Sequence, residues 1–393
     1  MTCPASTGTP LTLKYNGSYG MLQQVKDNVS GGIAYWTLNA ANDSNLPTSE
    51  TLGNGVQVAS GYTPWTNEMT SRSAGSGGST TNLQNLAYQW DLTGNLHQRQ
   101  DLRQALTEVF TYDAMNRLKT SALNGSGNLS MAYDASGNIT NKSDVSAANY
   151  VYGDAAHKHA VTAAGTWSMA YDANGNMTRR AGGSISWYSD NLPNTINYSG
   201  NSTQFYYNAD HQRWKQIANY SGTLETPRYI GGMMEIVNRG SAPTEYRHLI
   251  PTGSGTAILT RRSDSTTSTY YASSDHLGSA DLVMDSTGAV QTRESFTAFG
   301  ARRGSNWQGV PAAADYTAFA NTTRKGYTGH EMLDSVSLVH MNGRVYDPYL
   351  GRFLSADTVI QNLAATSSVN PYAYAWDNPM RYVDPSGHTV CGG

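Results

Sequence analysis

Tyr-Asp-Ala-Ser-Gly-Asn-Ile-Thr, starting at Tyr133, returns almost unchanged as Tyr-Asp-Ala-Asn-Gly-Asn-Met-Thr at Tyr171 and more loosely as Tyr-Asp-Ala-Met-Asn-Arg-Leu-Lys at Tyr112. Weaker copies begin at Trp90, Tyr152, Tyr188 and Tyr207. Starts lie roughly 17–22 residues apart, a repeat-array period, and such a period constrains architecture before any other feature does.

Each unit has a physical reading. The aromatic ends one strand. The Asp-x-x-Gly-Asn that follows is a turn, whose Gly and Asn accept positive φ and whose Asp caps backbone N–H groups. Asp91, Asp134 and Asp172 share the first place of this turn, and Gly94, Gly137 and Gly175 the fourth. An apolar residue such as Ile139 or Met177 then opens the next strand. A hairpin this short cannot bury its aromatic face alone, whereas stacked hairpins form a continuous ribbon. About forty strands at ~4.8 Å spacing would give a ribbon of ~190 Å. Wound around a space ~40 Å across, that is little more than one turn. The fold expected is all-β: a hairpin ribbon spirally wound into an open barrel or partial hollow shell.

Composition agrees. The 393 residues include 39 Gly and 26 Tyr but only 6 Phe. Tyr suits a half-buried strand face, and Gly, Asn and Asp suit turns. So polar a chain invites a disordered reading, which the regularly placed aromatics oppose. Charged residues make up 14% and the net charge is −3, which gives no basic footprint for nucleic acid. Cys3 and Cys391 sit at opposite ends and imply neither a disulfide framework nor a Cys-rich metal site. The N-terminus lacks the basic and apolar regions of a signal peptide. No stretch approaches the ~18 apolar residues of a membrane span.

The Tyr-Asp units resemble the YD repeats of Rhs proteins, insecticidal toxin-complex C subunits and teneurins. Two later stretches sharpen the resemblance. Residues 270–303, YYASSDHLGSADLVMDSTGAVQTRESFTAFGARR, are similar to the opening of the Rhs-repeat-associated core domain. YTGHEMLDSVSLVHMNGRVYDPYLGRFLSAD, followed by NPYAYAWDNPMRYVDPSG, is similar to its end. The resemblance covers roughly residues 85–388 and divides the chain into an N-terminal β-rich segment (1–84), a YD-repeat shell (85–265), a core domain (266–388) and a short tail (389–393). It implies a spirally wound shell closed at one end by the core domain and holding a C-terminal cargo, often a toxin. It further implies self-cleavage just after the final Asp-Pro-x-Gly-x, by two aspartates helped by an arginine.

Carried onto this chain, the arginine is Arg344, followed by Val345 and Tyr346. The first aspartate is Asp357, in Ser355-Ala356-Asp357, and the second is Asp384, in Asp384-Pro385-Ser386-Gly387. The cut would fall between His388 and Thr389. The chain departs from the family pattern at three places: His388 replaces a Leu, Thr358 a Pro and Val345 an aromatic. Two carboxyls held close share a proton, so one can activate water while the other protonates the leaving amine. Arg344 would keep one aspartate ionised or steady developing negative charge. The scissile bond lies close behind Asp384 in the chain, and proximity of that kind suits a single turnover. Both Asp-Pro segments are also ordinary turn sequences. Asp347, in YDPYLG, is expected to be a turn residue only.

Other motifs carry less. His157 and His159 are expected in a solvated loop, and no cofactor or metal is expected anywhere. The Gly-Ser run at 76–80 lacks the Lys of a phosphate loop and is expected to be a flexible linker. Thr-Arg-Arg at 178–180 and at 260–262 are expected as solvated strand ends. Asn-x-Ser/Thr sequons at Asn16, Asn138 and Asn176 are expected by chance in an Asn-rich chain. The aromatic stripe is expected to pack inward rather than to bind sugars.

Two functions follow. The first is the shell and self-processing segment of a polymorphic-toxin-type Rhs protein, partnered by its own C-terminal cargo and by a secretion or shell partner. The second is a secreted or cell-surface scaffold for adhesion or carbohydrate contact, without catalysis. The residues after His388 are too few for a toxin domain, which suggests truncation, cargo exchange, a decayed remnant or a terminal fragment. Secretion or surface display is expected on either reading.

Overall fold

The computed structural model describes residues 11–18, 20–253, 255–362 and 366–392. Cys3 lies outside them, and Cys391 is a free, exposed thiol. Among the described residues there are thirty-five strands. A twelve-stranded sheet runs from Leu13–Ser18 to Ile139–Lys142, and a fifteen-stranded sheet from Tyr150–Val151 to Val290–Arg293. In both sheets every strand pairs antiparallel with its neighbours in sequence, so the ribbon is a pure meander. Pairing continues without a break through residues 84–85 and 265–266. The Gly-Ser run at 76–80 is a short connection inside the first sheet, with positive φ at Gly77 and Gly78, and not an interdomain linker.

The repeat forms this ribbon through two local devices. In the turn, the Asp Oδ1 accepts two N–H groups ahead of it. Asp134 takes Ser136 at 2.8 Å and Asn138 at 2.9 Å, and Asp172 takes Asn174 and Asn176, both at 2.9 Å. Gly137 and Gly175 supply the left-handed residue, with φ of 79° and 81°. The buried amides of Asn138 and Asn176 turn back onto the same aspartates, so these two sequons are structural.

The second device explains why the aromatic is Tyr and not Phe. Tyr112 donates its hydroxyl to the Leu96 carbonyl, Tyr133 to Leu118 and Tyr152 to Ile139, at 2.7–2.8 Å. Each acceptor is the apolar residue that opens the strand after the previous unit's turn. These three rings therefore pack in the ribbon while their hydroxyls tie one hairpin to the one before it. A ring without a polar tip would leave those buried carbonyls with one partner fewer.

The ribbon's two ends overlap. Leu13, Val25, Trp36 and Val58 from the first strands share a buried cluster with Ile250, Leu259, Tyr271 and Met284. Polar contacts stitch the same seam: Gln84 Nε2 donates to Asp281 Oδ2 at 2.7 Å, and Arg72 Nη1 to Ser274 Oγ at 2.9 Å. The ribbon thus meets itself end to end with 27 strands, the twelve and fifteen of its two sheets, fewer than the roughly forty expected from the sequence.

The concave side is filled. Ribbon residues Tyr88, Phe110, Met131, Met169 and Phe205 form one cluster with Phe299, Tyr327, Tyr346, Phe353 and Tyr374 of the C-terminal region. The accessible surface is 16274 Å², close to the roughly 15,000 Å² of a compact monomer of this mass. Within this chain the inside of the curl is therefore occupied by the C-terminal region.

That region, a four-stranded sheet (Glu331–Leu333 to Arg352–Phe353) with short helices around it, reads the row of repeat turns. Arg352 Nη2 and Asn370 Nδ2 donate to the Gly137 carbonyl at 2.9 and 3.0 Å. Tyr372 donates to Gly175 O at 2.7 Å, and Arg381 to Thr93 O at 2.6 Å. Turn carbonyls left free by the hairpins become the rim on which the closing segment sits.

Candidate active site

Arg344 opens the strand Arg344–Asp347 and is almost fully buried. Its side chain is held on all sides. The guanidinium lies over the Phe353 ring, 3.6 Å from the centroid. Nη1 donates to Pro371 O at 3.0 Å and Nε to the Gly387 carbonyl. Burial draws its ionisation down to about 10, against the opposing pull of Asp357 and Asp384, so it stays a cation at neutral pH.

Both expected aspartates converge on this cation. Asp357 Oδ2 is 2.7 Å from Arg344 Nη2, and Asp384 Oδ2 is 3.5 Å from the same nitrogen. Asp357 is placed by its own N–H, which donates to Pro371 O at 2.8 Å, and its Oδ1 accepts Val359 N at 3.0 Å. Asp384 follows the short strand Tyr382–Val383 and is fully buried. Its Oδ1 accepts Thr389 N at 2.9 Å and lies 3.4 Å from Ser386 Oγ. The sequence implied a pair sharing one proton. In the fold a fixed guanidinium stands between the two carboxyls, which gives them unequal surroundings.

The peptide following Asp384 is folded back onto the arginine's strand. Gly387 has φ of 77° and packs against the backbone of Met341 and Arg344, where no side chain fits. Gly343 N donates to Ser386 O at 2.9 Å, and Asn342 Nδ2 to Pro385 O at 2.8 Å. The 388–389 peptide is thus brought beside the carboxyls: Thr389 N on Asp384, and His388 Nδ1 at 3.0 Å from Asp357 Oδ1. His388, which departs from the family pattern, occupies a place where its ring engages the first aspartate. His330, whose buried ring is pushed down to about 4 by desolvation, flanks the loop with Nε2 at 3.3 Å from Pro385 O.

Asp347 lies elsewhere, as the sequence implied, but it is more than a turn residue. Its Oδ1 accepts Tyr349 N and Leu350 N at 2.9 and 3.0 Å. Its Oδ2 pairs with Arg180 Nε at 2.5 Å, and both side chains are buried. This overturns the expectation that Thr-Arg-Arg at 178–180 is a solvated strand end. Arg179 is exposed, while Arg180 points inward to meet a charge brought from the far end of the chain. In the second Thr-Arg-Arg, Thr260 is buried and Arg261 and Arg262 are half-buried, so that segment is not a solvated end either. His157 bonds Asp154 at 3.1 Å and His159 bonds Asn138 at 2.8 Å. Among the described residues no group of three His, Cys, Asp or Glu could hold a metal ion.

Sequence reasoning missed the supports of the site: Phe353, Pro371, Ser386 and His330. Pro371 and His330 have no local signature, because each acts through a contact with a segment more than twenty-five residues away.

A sequential antiparallel meander of Tyr/Asp hairpins, curled once and closed by its own C-terminal domain, defines a YD-repeat shell. Residues 76–380 match the family described as Teneurin YD-shell, and the chain belongs to that family, the Rhs/YD-repeat group related to toxin-complex proteins and teneurins. Among curated proteins it is similar to the tRNA nuclease WapA of Bacillus subtilis (28% identical over 121 residues, 31% of this chain and 5% of that protein). It is also similar to Salivary gland surface protein 1 of Aedes aegypti (33% over 89 residues, 20% of this chain and 2% of that protein). Among solved structures, TcdB2-TccC3 superposes with a TM-score of 0.76 at 18% identity, over 97% of this chain and 21% of that one. The Photorhabdus luminescens Tc holotoxin pore superposes with a TM-score of 0.75 at 17% identity, over 98% and 20%. The chain spans about a fifth of those structures' chains and a twentieth or less of those curated relatives. No described helix is long and apolar enough to cross a membrane.

Proposed function

We propose that this chain is the closing end of a YD shell that holds a C-terminal cargo segment, and that it cuts itself between His388 and Thr389. One observation carries the reading: Arg344 gathers Asp357 and Asp384, and Asp384 already holds the N–H of the peptide to be cut.

The unequal surroundings assign the roles. Asp357 is the more accessible carboxylate and lies closest to the guanidinium, so it acts as the base. It takes a proton from water, whose oxygen attacks the His388 carbonyl carbon. Arg344 is the fixed positive charge beside the developing oxyanion. Asp384, buried and with Oδ1 at Thr389 N, is the carboxyl placed to act as the acid. It delivers the proton to that nitrogen as the C–N bond breaks. One water is consumed, and the products are a His388 carboxylate and a Thr389 amine. Holding the peptide in the fold replaces substrate binding, so a single turnover needs no affinity for a free substrate.

The solved shells named for TccC3 share this fold, which supports an encapsulating role and export or surface display. The test is intact-mass measurement of the purified chain over time. The wild type loses the residues after His388, whereas Asp357→Asn and Asp384→Asn stay whole. A wild type that stays whole under folding conditions leaves only the shell role. The match to a salivary gland surface protein favours one alternative, a surface scaffold without catalysis. Glycan-array binding by an uncut wild type is the result that supports that alternative.

A further inference from the structure

The residues beyond the scissile bond are held almost entirely by their main chain. Thr389 N donates to Asp384 Oδ1 at 2.9 Å. Val390 is gripped from both sides by one side-chain amide: its N–H donates to Gln361 Oε1 at 2.7 Å, and its carbonyl accepts from Gln361 Nε2 at 3.2 Å. Cys391 and Gly392 then pair antiparallel with Val383 and Tyr382. Meanwhile the side chains of Thr389 and Cys391 face solvent. Addition of a strand to an exposed edge, with side chains left out, is the general way a protein takes an extended peptide of any sequence.

We propose that Gln361 and the edge strand Tyr382–Val383 form a main-chain subsite, which fixes the register of whatever peptide follows the cut and accepts any extended segment without Pro at position 390. This rests on the cleavage reading for its purpose, but the subsite itself is a statement about peptide holding. Gln361 is a positioning residue. By tethering Val390 it keeps the 388–389 peptide against Asp384, and it does so without reading side chains. A shell built this way can carry different cargoes without rebuilding its cutting site.

The test uses the full chain. Two main-chain bonds of ordinary strength correspond to about thirtyfold in rate. Val390→Pro, which removes one of the two, is expected to cut about fivefold more slowly than Val390→Thr, which changes only the side chain. Gln361→Ala, which removes both, is expected to slow cutting about thirtyfold. Equal rates for the Pro and Thr variants, or an unaffected Gln361→Ala, overturn the proposal. A second readout does not need cleavage: hydrogen exchange of the C-terminal peptide in the Asp357→Asn chain, with and without Gln361→Ala. Faster exchange at residues 389–390 on loss of the glutamine supports the subsite even if the wild type never cuts. Unchanged exchange sinks it whether or not cutting occurs.

Discussion

Arg180→Met tests whether the C-terminal region is fastened to the ribbon by buried charge. Arg180 and Asp347 lie 167 residues apart in sequence and meet at 2.5 Å, with almost no exposure of either side chain. Arg180 also lies 5.2 Å from the Trp167 ring centroid and 4.7 Å from that of Tyr198. Methionine fills much of the arginine's volume, so packing loss is small and the main cost is a carboxylate left buried without its cation. Breaking such a pair costs about 3–5 kcal/mol. Asp347→Asn leaves the opposite charge unpaired and is expected to cost about as much. The double variant removes both charges. The side-chain amide oxygen at position 347 still accepts Tyr349 N and Leu350 N, and only an unmatched amide N–H remains, at about 1–3 kcal/mol. The double variant is therefore expected to be more stable than either single one, with a coupling of at least about 2 kcal/mol. Urea unfolding followed by tryptophan fluorescence measures it, since Trp167 reports on the site directly. A single variant within about 1 kcal/mol of wild type, or costs that simply add, would refute the reasoning.

Two further outcomes follow from the same geometry. Asp281, at the seam where the ribbon's ends overlap, is pushed up to about 7 by burial and by Asp275 and Asp101, against the pull of Gln84 and Arg293. The folded chain thus binds this proton more tightly than the unfolded chain. Its contribution to stability is full below about pH 4 and is lost as pH rises through about 7. Asp281→Asn is expected to stabilise the protein by about 2–4 kcal/mol at pH 8 and to make little difference at pH 4, as read by thermal melts across that range. At the site, Gly387→Ala places a methyl group against Met341 O and, at 2.8 Å, Arg344 N, at a residue with φ of 77°. Strain of at least about 1–2 kcal/mol should shift the closing loop off Arg344 and abolish cutting by intact mass, while far-UV circular dichroism keeps its β signature. Cutting at the wild-type rate would show that the loop's tight turn is not needed.

What the sequence determined is everything that depends on neighbours in the chain. Asp134, Gly137 and Asn138 specify a turn wherever they stand together, because the bonds they make close within four residues. Repetition of that unit dictated a meander. The candidate residues Arg344, Asp357 and Asp384 were legible only through resemblance, since each alone is an ordinary turn or strand residue. Tertiary structure decided the rest. It chose the carbonyls that receive the tyrosine hydroxyls, turned Arg180 inward, placed a guanidinium between two aspartates, and brought Gln361 to Val390. The physical reason is the range of the interactions. A buried charge or an unpaired carbonyl is tolerable only when a distant segment supplies its partner, and a residue that meets its partner only in the fold carries no mark of it in its local sequence.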